Sequence, residues 1–156
     1  MYNTTKDMLD ALRAAPDTLN RLLAGITQEQ ARKATGGDEN WSVIEVLCHL
    51  RDAEEFGLQR DRLMRDCDNP DILPWDQEKL AIERNYAAQE LRTVLAEFTA
   101  KRQQRIAVLE GLSPAGWERT GKHLQFGAIT IFTHTLHMAA HDAIHCAQIA
   151  RQLSQG

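Results

Sequence analysis

The stretch Thr130–Ala150 constrains this chain most: TIFTHTLHMAAHDAIHCAQIA holds four of the six histidines and only one formally charged residue, Asp142. It contains neither Pro nor Gly, Ala recurs through it, and Thr130, soon after Gly127, can act as an N-cap. At about 100° per residue, His134, His141 and His145 fall within roughly 40° of one another and His137 lies about 60° to one side. The remaining surface is mostly Ala, Ile, Leu, Phe, Met and Cys. A helix that is apolar on nearly all sides is buried on nearly all sides. Its imidazoles therefore face other helices, and buried polar groups need partners. Either a metal ion satisfies the stripe, or the histidines hydrogen-bond within the core.

The other segments are helical too. Residues 5–24 carry Met8, Leu9, Leu12, Ala15, Leu19, Leu22 and Leu23 at three- and four-residue steps, with Gly25 as a stop and Pro16 as an interruption that can kink the helix. Thr27 with Gln30 resembles a capping box, and residues 36–40 read as a loop. Ser42 with Glu45 starts a second long helix running to about Cys67. Its stripe is Val43, Leu47, Leu50 and Leu58, with His49, Ala53, Phe56 and Arg60 on an adjoining face. Glu54 falls in the stripe itself, where a carboxylate needs a partner; a structural hydrogen bond is expected rather than catalysis.

A turn follows through Pro74, then a short helical segment over 76–85. Residues 88–112 form the third long helix, with Leu91, Val94, Leu95, Phe98, Ile106 and Leu109 as its core. Residues 113–117 suit a capped single turn, and 121–127 another loop, in which His123 is expected to be solvated. Four long helices without an alternating strand pattern predict an all-α helical bundle, with residues 1–156 as one domain.

Composition narrows the function. A net charge of −4 argues against nucleic acid as a partner. No apolar run approaches the roughly 18 residues of a membrane span, and the first residues lack the apolar core of a signal peptide. Cys48, Cys67 and Cys146 form no CxxC pair, which favours free thiols and a cytoplasmic location.

His141 and His145, at i and i+4, can converge on one ion. A third ligand must come from another helix, and His49 is the only histidine in the first three-quarters of the chain. His134 or His137 could replace one member, but packing or support beside the site is the expected role of each. Three neutral imidazoles with an open position suit a catalytic rather than a closed structural site.

Residues 41–54, WSVIEVLCHLRDAE, resemble the first signature of the DinB/YfiT-like superfamily, and residues 137–149, HMAAHDAIHCAQI, resemble its second. The resemblance implies a four-helix bundle of up-down-down-up topology, often dimeric. It also implies a zinc or nickel ion held by one histidine of the second helix and an HxxxH pair of the last, here His49, His141 and His145. Asp52 and Arg60 flank His49 and are candidates to orient a ligand or receive a substrate carboxylate, although ion pairing is the simpler role for both. Gln148 could hydrogen-bond a metal-bound water or the core, and His137 could support the site. Relatives that use low-molecular-weight thiols imply S-transfer onto a small-molecule electrophile. Hydrolysis by a metal-bound hydroxide and a non-enzymatic, stress-related dimer with a structural metal are the alternatives.

Overall fold

The computed structural model describes residues 4–37 and 40–155. Met1–Asn3 and Gly156 lie outside them, as do Asp38 and Glu39 of the expected 36–40 loop. Four long helices dominate: α1 (Thr4–Leu23), α3 (Val43–Asp66), α5 (Leu91–Glu110) and α7 (Ile131–Ser154). Between them lie the short helices α2 (Gln28–Lys33), α4 (Gln77–Glu83) and α6 (Pro114–Trp117), and a 3-10 turn at Tyr86–Ala88.

Cross-helix bonds give the helix directions. Along α3 and α5, Arg51–Glu97, Glu54–Arg102 and Asp61–Arg105 advance together, so these helices run parallel. His49 meets His141 while Asp61 meets His134, so α7 runs against α3. Arg92 reaches the Leu23 carbonyl and Arg13 pairs with Glu110, so α1 runs against α5. The result is an up-down-down-up bundle.

The helix starts follow the sequence. Thr27 with Gln30, Ser42 with Glu45 and Thr130 with Thr133 each form reciprocal capping boxes, satisfying amide groups that the first turn leaves open. Pro16 does not end α1. Lacking an N–H, it leaves the Leu12 carbonyl without its helical donor. Arg102 of α5 donates to that oxygen at 2.8 Å.

The connections contain short strands that periodicity did not predict. β1 (Thr35–Gly36) and β2 (Trp41–Ser42) pair antiparallel on either side of the expected 36–40 loop, β1 taking its first residue. β3 (Asp71–Ile72) pairs parallel with β4 (Thr120–His123), and β4 pairs antiparallel with β5 (Gly127–Thr130). Strands of two to four residues are too short for alternation to be visible. The expected 121–127 loop is therefore a hairpin built into a three-stranded sheet. At Gly121 a Cβ would lie 2.9 Å from both Ile72 and Met64, so the sheet presses against α3 only because no side chain is there.

Two apolar clusters fill the bundle. One gathers Leu19 and Leu23 of α1, Val43–Leu50 of α3, Leu91–Phe98 of α5 and Ile149 of α7. The other gathers Met8, Leu12, Met64, Ile72, Leu109, Trp117 and Ile131. The helix segments between them carry a buried ionic layer. Glu54 accepts from Arg102 at 2.8 Å, Asp61 from Arg105 at 2.6 Å, and Asp142 from both Arg102 terminal nitrogens at 2.8 and 3.0 Å. Glu54, expected to hold a neighbour in place, does so. Gly57 makes room: a Cβ there would lie 2.9 Å from the Arg105 guanidinium.

Candidate metal centre

His49 sits in the second turn of α3, and His141 and His145 sit one turn apart on α7. Because α3 and α7 are antiparallel neighbours, the three rings meet. Nε2 of His49 and Nε2 of His141 are 2.8 Å apart. The His145 ring centroid lies 4.8 Å from that of His49 and 4.4 Å from that of His141. One nitrogen from each ring falls within 4.8 Å of the others. At a metal–nitrogen distance of about 2.0–2.1 Å, tetrahedral ligands stand about 3.3 Å apart. The observed spacings bracket that value, so small ring rotations would seat an ion.

The surroundings suit neutral donors. Burial pushes the His49 imidazole down to about 3, with His145 adding to the effect. Burial, then His49, His145 and His137, push His141 down to about 2. Neutral imidazoles keep a lone pair for an ion. Nδ1 of His49 and Nδ1 of His141 are buried without a protein partner among the described residues. Among the described residues, no carbonyl or carboxylate bonds these two rings.

Neighbouring groups fix ring positions. His49 lies between Trp41 and Trp75, at centroid distances of 5.4 and 5.5 Å. Gln148 accepts the His145 Nδ1–H at 2.8 Å and donates to the Gly36 carbonyl at 3.1 Å. This bond fixes the tautomer and leaves Nε2 free for the triad. Gln152 donates to the Trp41 carbonyl at 2.7 Å and to the Gly36 carbonyl at 3.4 Å, so two side chains tie the end of α7 to the β1–β2 hairpin. Gln148 thus holds a ring rather than reaching toward a bound water.

A cleft of about 360 Å³ opens beside His49 and His141, walled by Arg60, Trp75, Phe126 and His137. His137, exposed on α7, has its ring centroid 6.2 Å from that of His141. Arg60 lines the cleft as a half-buried side chain and donates to the Leu73 carbonyl at 2.8 Å.

Two expectations need correction. Asp52 is not at the site: its carboxylate is fully buried and accepts from Arg51, Arg84 and Tyr86. It shares a helix face with His49 only approximately, and those three donors draw it away. His123 is not solvated: it is buried at the end of β4, where its Nδ1 accepts backbone N–H groups of Gln125 and Phe126 at 3.2 and 3.3 Å. His134 is the packing residue expected of it: it is buried outside the triad, with its Nδ1 bonded to Asp61 at 2.9 Å. Trp75 and Phe126, which complete the cleft, gave no signal in sequence because both lie outside the long periodic helices.

The model of the DinB superfamily matches residues 11–149. This chain belongs to the DinB superfamily. An Oceanobacillus iheyensis protein named "putative metal-dependent hydrolase" is 30% identical over 146 residues, covering 92% of this chain and 82% of that one. A Geobacillus kaustophilus protein of the same name is 24% identical over 148 residues, covering 93% and 82%. The solved structure of YfiT from Bacillus subtilis, described as "a probable metal-dependent hydrolase with an unusual four-helix bundle topology", superposes with a TM-score of 0.91 at 20% identity. That superposition covers 99% of this chain and 89% of YfiT, and it establishes the fold this DinB-superfamily chain shares.

Proposed function

We propose that this DinB-superfamily protein is a divalent-metal-dependent hydrolase of small molecules, with His49, His141 and His145 as the metal ligands. One observation carries the reading: three imidazoles converge at the edge of a cleft, and among the described residues the facing nitrogens of His49 and His141 have only each other as hydrogen-bond partners. The names of the Oceanobacillus and Geobacillus relatives support the same class. Zinc and nickel both suit a three-nitrogen donor set. When bound, an ion held by neutral ligands lowers the pKa of a coordinated water or thiol toward neutrality.

The chain's own groups divide the remaining work. Gln148 holds His145 in one tautomer, and Trp41 and Trp75 hold the His49 ring. His137, on the cleft wall, accepts and returns the proton that moves during attack on the substrate. Half-burial of His141 and His145 leaves the centre open to ligands, unlike a closed structural site.

Thiol S-transfer is the second reading. The described residues lining the cleft include no Asp or Glu to serve as a general base, and attack by a thiolate needs none. A homodimer is part of the proposal, with Leu136 and Ile144 exposed on α7 as apolar surface for it. Sedimentation at micromolar concentration checks that state.

The deciding experiment loads purified protein with zinc or nickel and assays ester hydrolysis beside low-molecular-weight thiols with a model electrophile. Turnover of the ester that disappears on chelation and in His49→Ala supports hydrolysis. Turnover only with thiol selects transfer. Loss of thermal stability on chelation with neither activity would assign the metal to structure.

A further inference from the structure

Two grooves on this molecule differ in how their charges are balanced. The larger, about 570 Å³, contains Arg51, Arg84 and Lys101. Each of these has a carboxylate partner: Arg51 has Asp52 and Glu97, Arg84 has Asp52 and Glu55, and Lys101 has Glu55. The cleft beside the histidine triad is different. In a chain carrying a net charge of −4, none of the described residues lining it is acidic. Its one formal charge is Arg60, which forms no ion pair among the described residues.

Arg60 is half-buried, and its bond to the Leu73 carbonyl fixes the arm without neutralising it. Asp61, its neighbour in sequence, is already bonded to Arg105 and His134. A guanidinium does not lose its proton in proteins. A positive group held in place, partly dried and unpaired, is a site for an anion, and its planar fork matches carboxylate or phosphate oxygens.

Its position relative to the triad adds a length. His49 and Arg60 are eleven residues apart on one face of α3, about 16 Å along the helix axis. Helical side chains lean toward the N-terminus, so Arg60 leans toward His49. Between them Trp75 stacks on both His49, at 5.5 Å, and Phe56, at 4.9 Å. Across the cleft, Phe126 is 72% exposed and stacks on His123 at 4.7 Å. These aromatic faces form an apolar passage between the two polar ends.

We propose that the cleft selects an elongated anionic substrate, its carboxylate or phosphate held by Arg60, its apolar middle against Trp75 and Phe126, and its reacting end at the triad. Assigning the triad as the reacting end rests on the metal-hydrolase reading; the anion site on Arg60 is tested without it.

The test measures binding of three probes to metal-free protein by calorimetry: hippurate, phenyl phosphate and the neutral amide of hippurate. At least one anion should bind, the amide should bind at least about tenfold more weakly, and Arg60→Gln should weaken the anion about tenfold or more. Arg60→Lys should retain part of the affinity, since the charge persists while the fork is lost. A preference between hippurate and phenyl phosphate identifies which anion the site was built for. Arg60→Gln melting within about 3 °C of the parent shows that the variant is folded, and Arg60→Lys provides the comparison if it is not. The proposal is overturned if neither anion binds, if the amide binds as well as the tighter of the two anions, or if both Arg60 variants bind like the parent. No turnover is involved, so a protein that hydrolyses nothing would remove the hydrolase reading and leave this result standing.

Discussion

Helices α3 and α7 carry two groups of buried polar residues about two turns apart, and the two groups are solved in opposite ways. In the ionic layer every charge has a counter-charge, and His134 belongs to that layer through Asp61. At the triad, the His49 and His141 rings hydrogen-bond each other, and no counter-charge meets them among the described residues. His134 and His141 lie on nearly the same face of one helix, yet only His134 meets a carboxylate. The lesson is that a histidine's role follows from what the facing helix presents: an acid makes it part of the scaffold, and other imidazoles leave it ready for an ion.

The largest effect should come from breaking the layer that is fully paired. Arg105 is completely buried, and Arg105→Met leaves Asp61 and Glu54 short of a counter-charge. Leaving a buried charge unpaired costs about 3–5 kcal/mol. In a chain of this size the melting temperature should fall by about 10 °C or more. A fall of only a degree or two would mean that the layer is hydrated and contributes little. Replacing the whole layer with apolar residues of similar volume is a different experiment and need not destabilise.

The second contrast separates the two histidines directly. Purified parent protein should hold close to one equivalent of divalent metal, and His141→Ala should hold nearly none while its metal-free melting temperature changes little. His134→Ala should do the reverse, keeping its metal and losing stability because Asp61 loses a hydrogen bond. Elemental analysis and thermal melts of both variants, with and without a chelator, test the pair. Full metal content in His141→Ala would remove the ligand assignment.

This division was half legible in the sequence. The triad is a local signal, a histidine pair one turn apart in a segment with almost no other polar residue, joined by one histidine beside an apolar stripe. The capping boxes at Thr27 and Ser42 are local too. The ionic layer is not. Arg102 and Arg105 read as part of a polar helix face, because their burial depends on carboxylates contributed by α3 and α7 and on a carbonyl in α1. Three marks of it are visible afterwards: Glu54 inside an apolar stripe, Gly57 one turn on where Arg105 must pass, and Pro16, which frees the Leu12 oxygen that Arg102 takes. Asp52 and His123 were misplaced for the same reason, since their partners come from residues remote in sequence or from a short hairpin.

A smaller effect should follow from loosening one ligand without removing it. Gln148→Leu takes away the acceptor for His145 Nδ1–H and the link to Gly36. Losing such a support commonly lowers metal affinity about 10–100-fold. Competition with a chromogenic chelator should show a loss in that range, with stoichiometry still near one. Unchanged affinity would mean that Trp41 and Trp75 alone hold the site in register.

The smallest effect sharpens the comparison through pH. Burial pushes His134 below its ordinary value and Asp61 only partly offsets this, so the folded protein resists protonating it. As pH falls below about 6.5, the unfolded chain takes up a proton that the folded chain refuses, and stability declines by up to about 1.4 kcal/mol per pH unit for that group. Burial pushes the carboxyls of Glu54 and Asp61 upward, but Arg105 first, with Arg102 on Glu54 and His134 on Asp61, outweighs it and holds both below their ordinary values. Their contribution is present above the unfolded carboxyl values near 4 and is lost as pH falls from there toward the folded ones. Asp142 has the opposite sign: burial raises it more than Arg102 lowers it, so its protonated form favours the folded state and that contribution fades as pH rises through the raised value. Metal-free His134→Gln should therefore lose stability less steeply than the parent as pH falls below about 6.5, by at most one proton's worth. Parallel curves across the whole range would show that His134 titrates normally, and the two histidine environments would differ less than the geometry indicates.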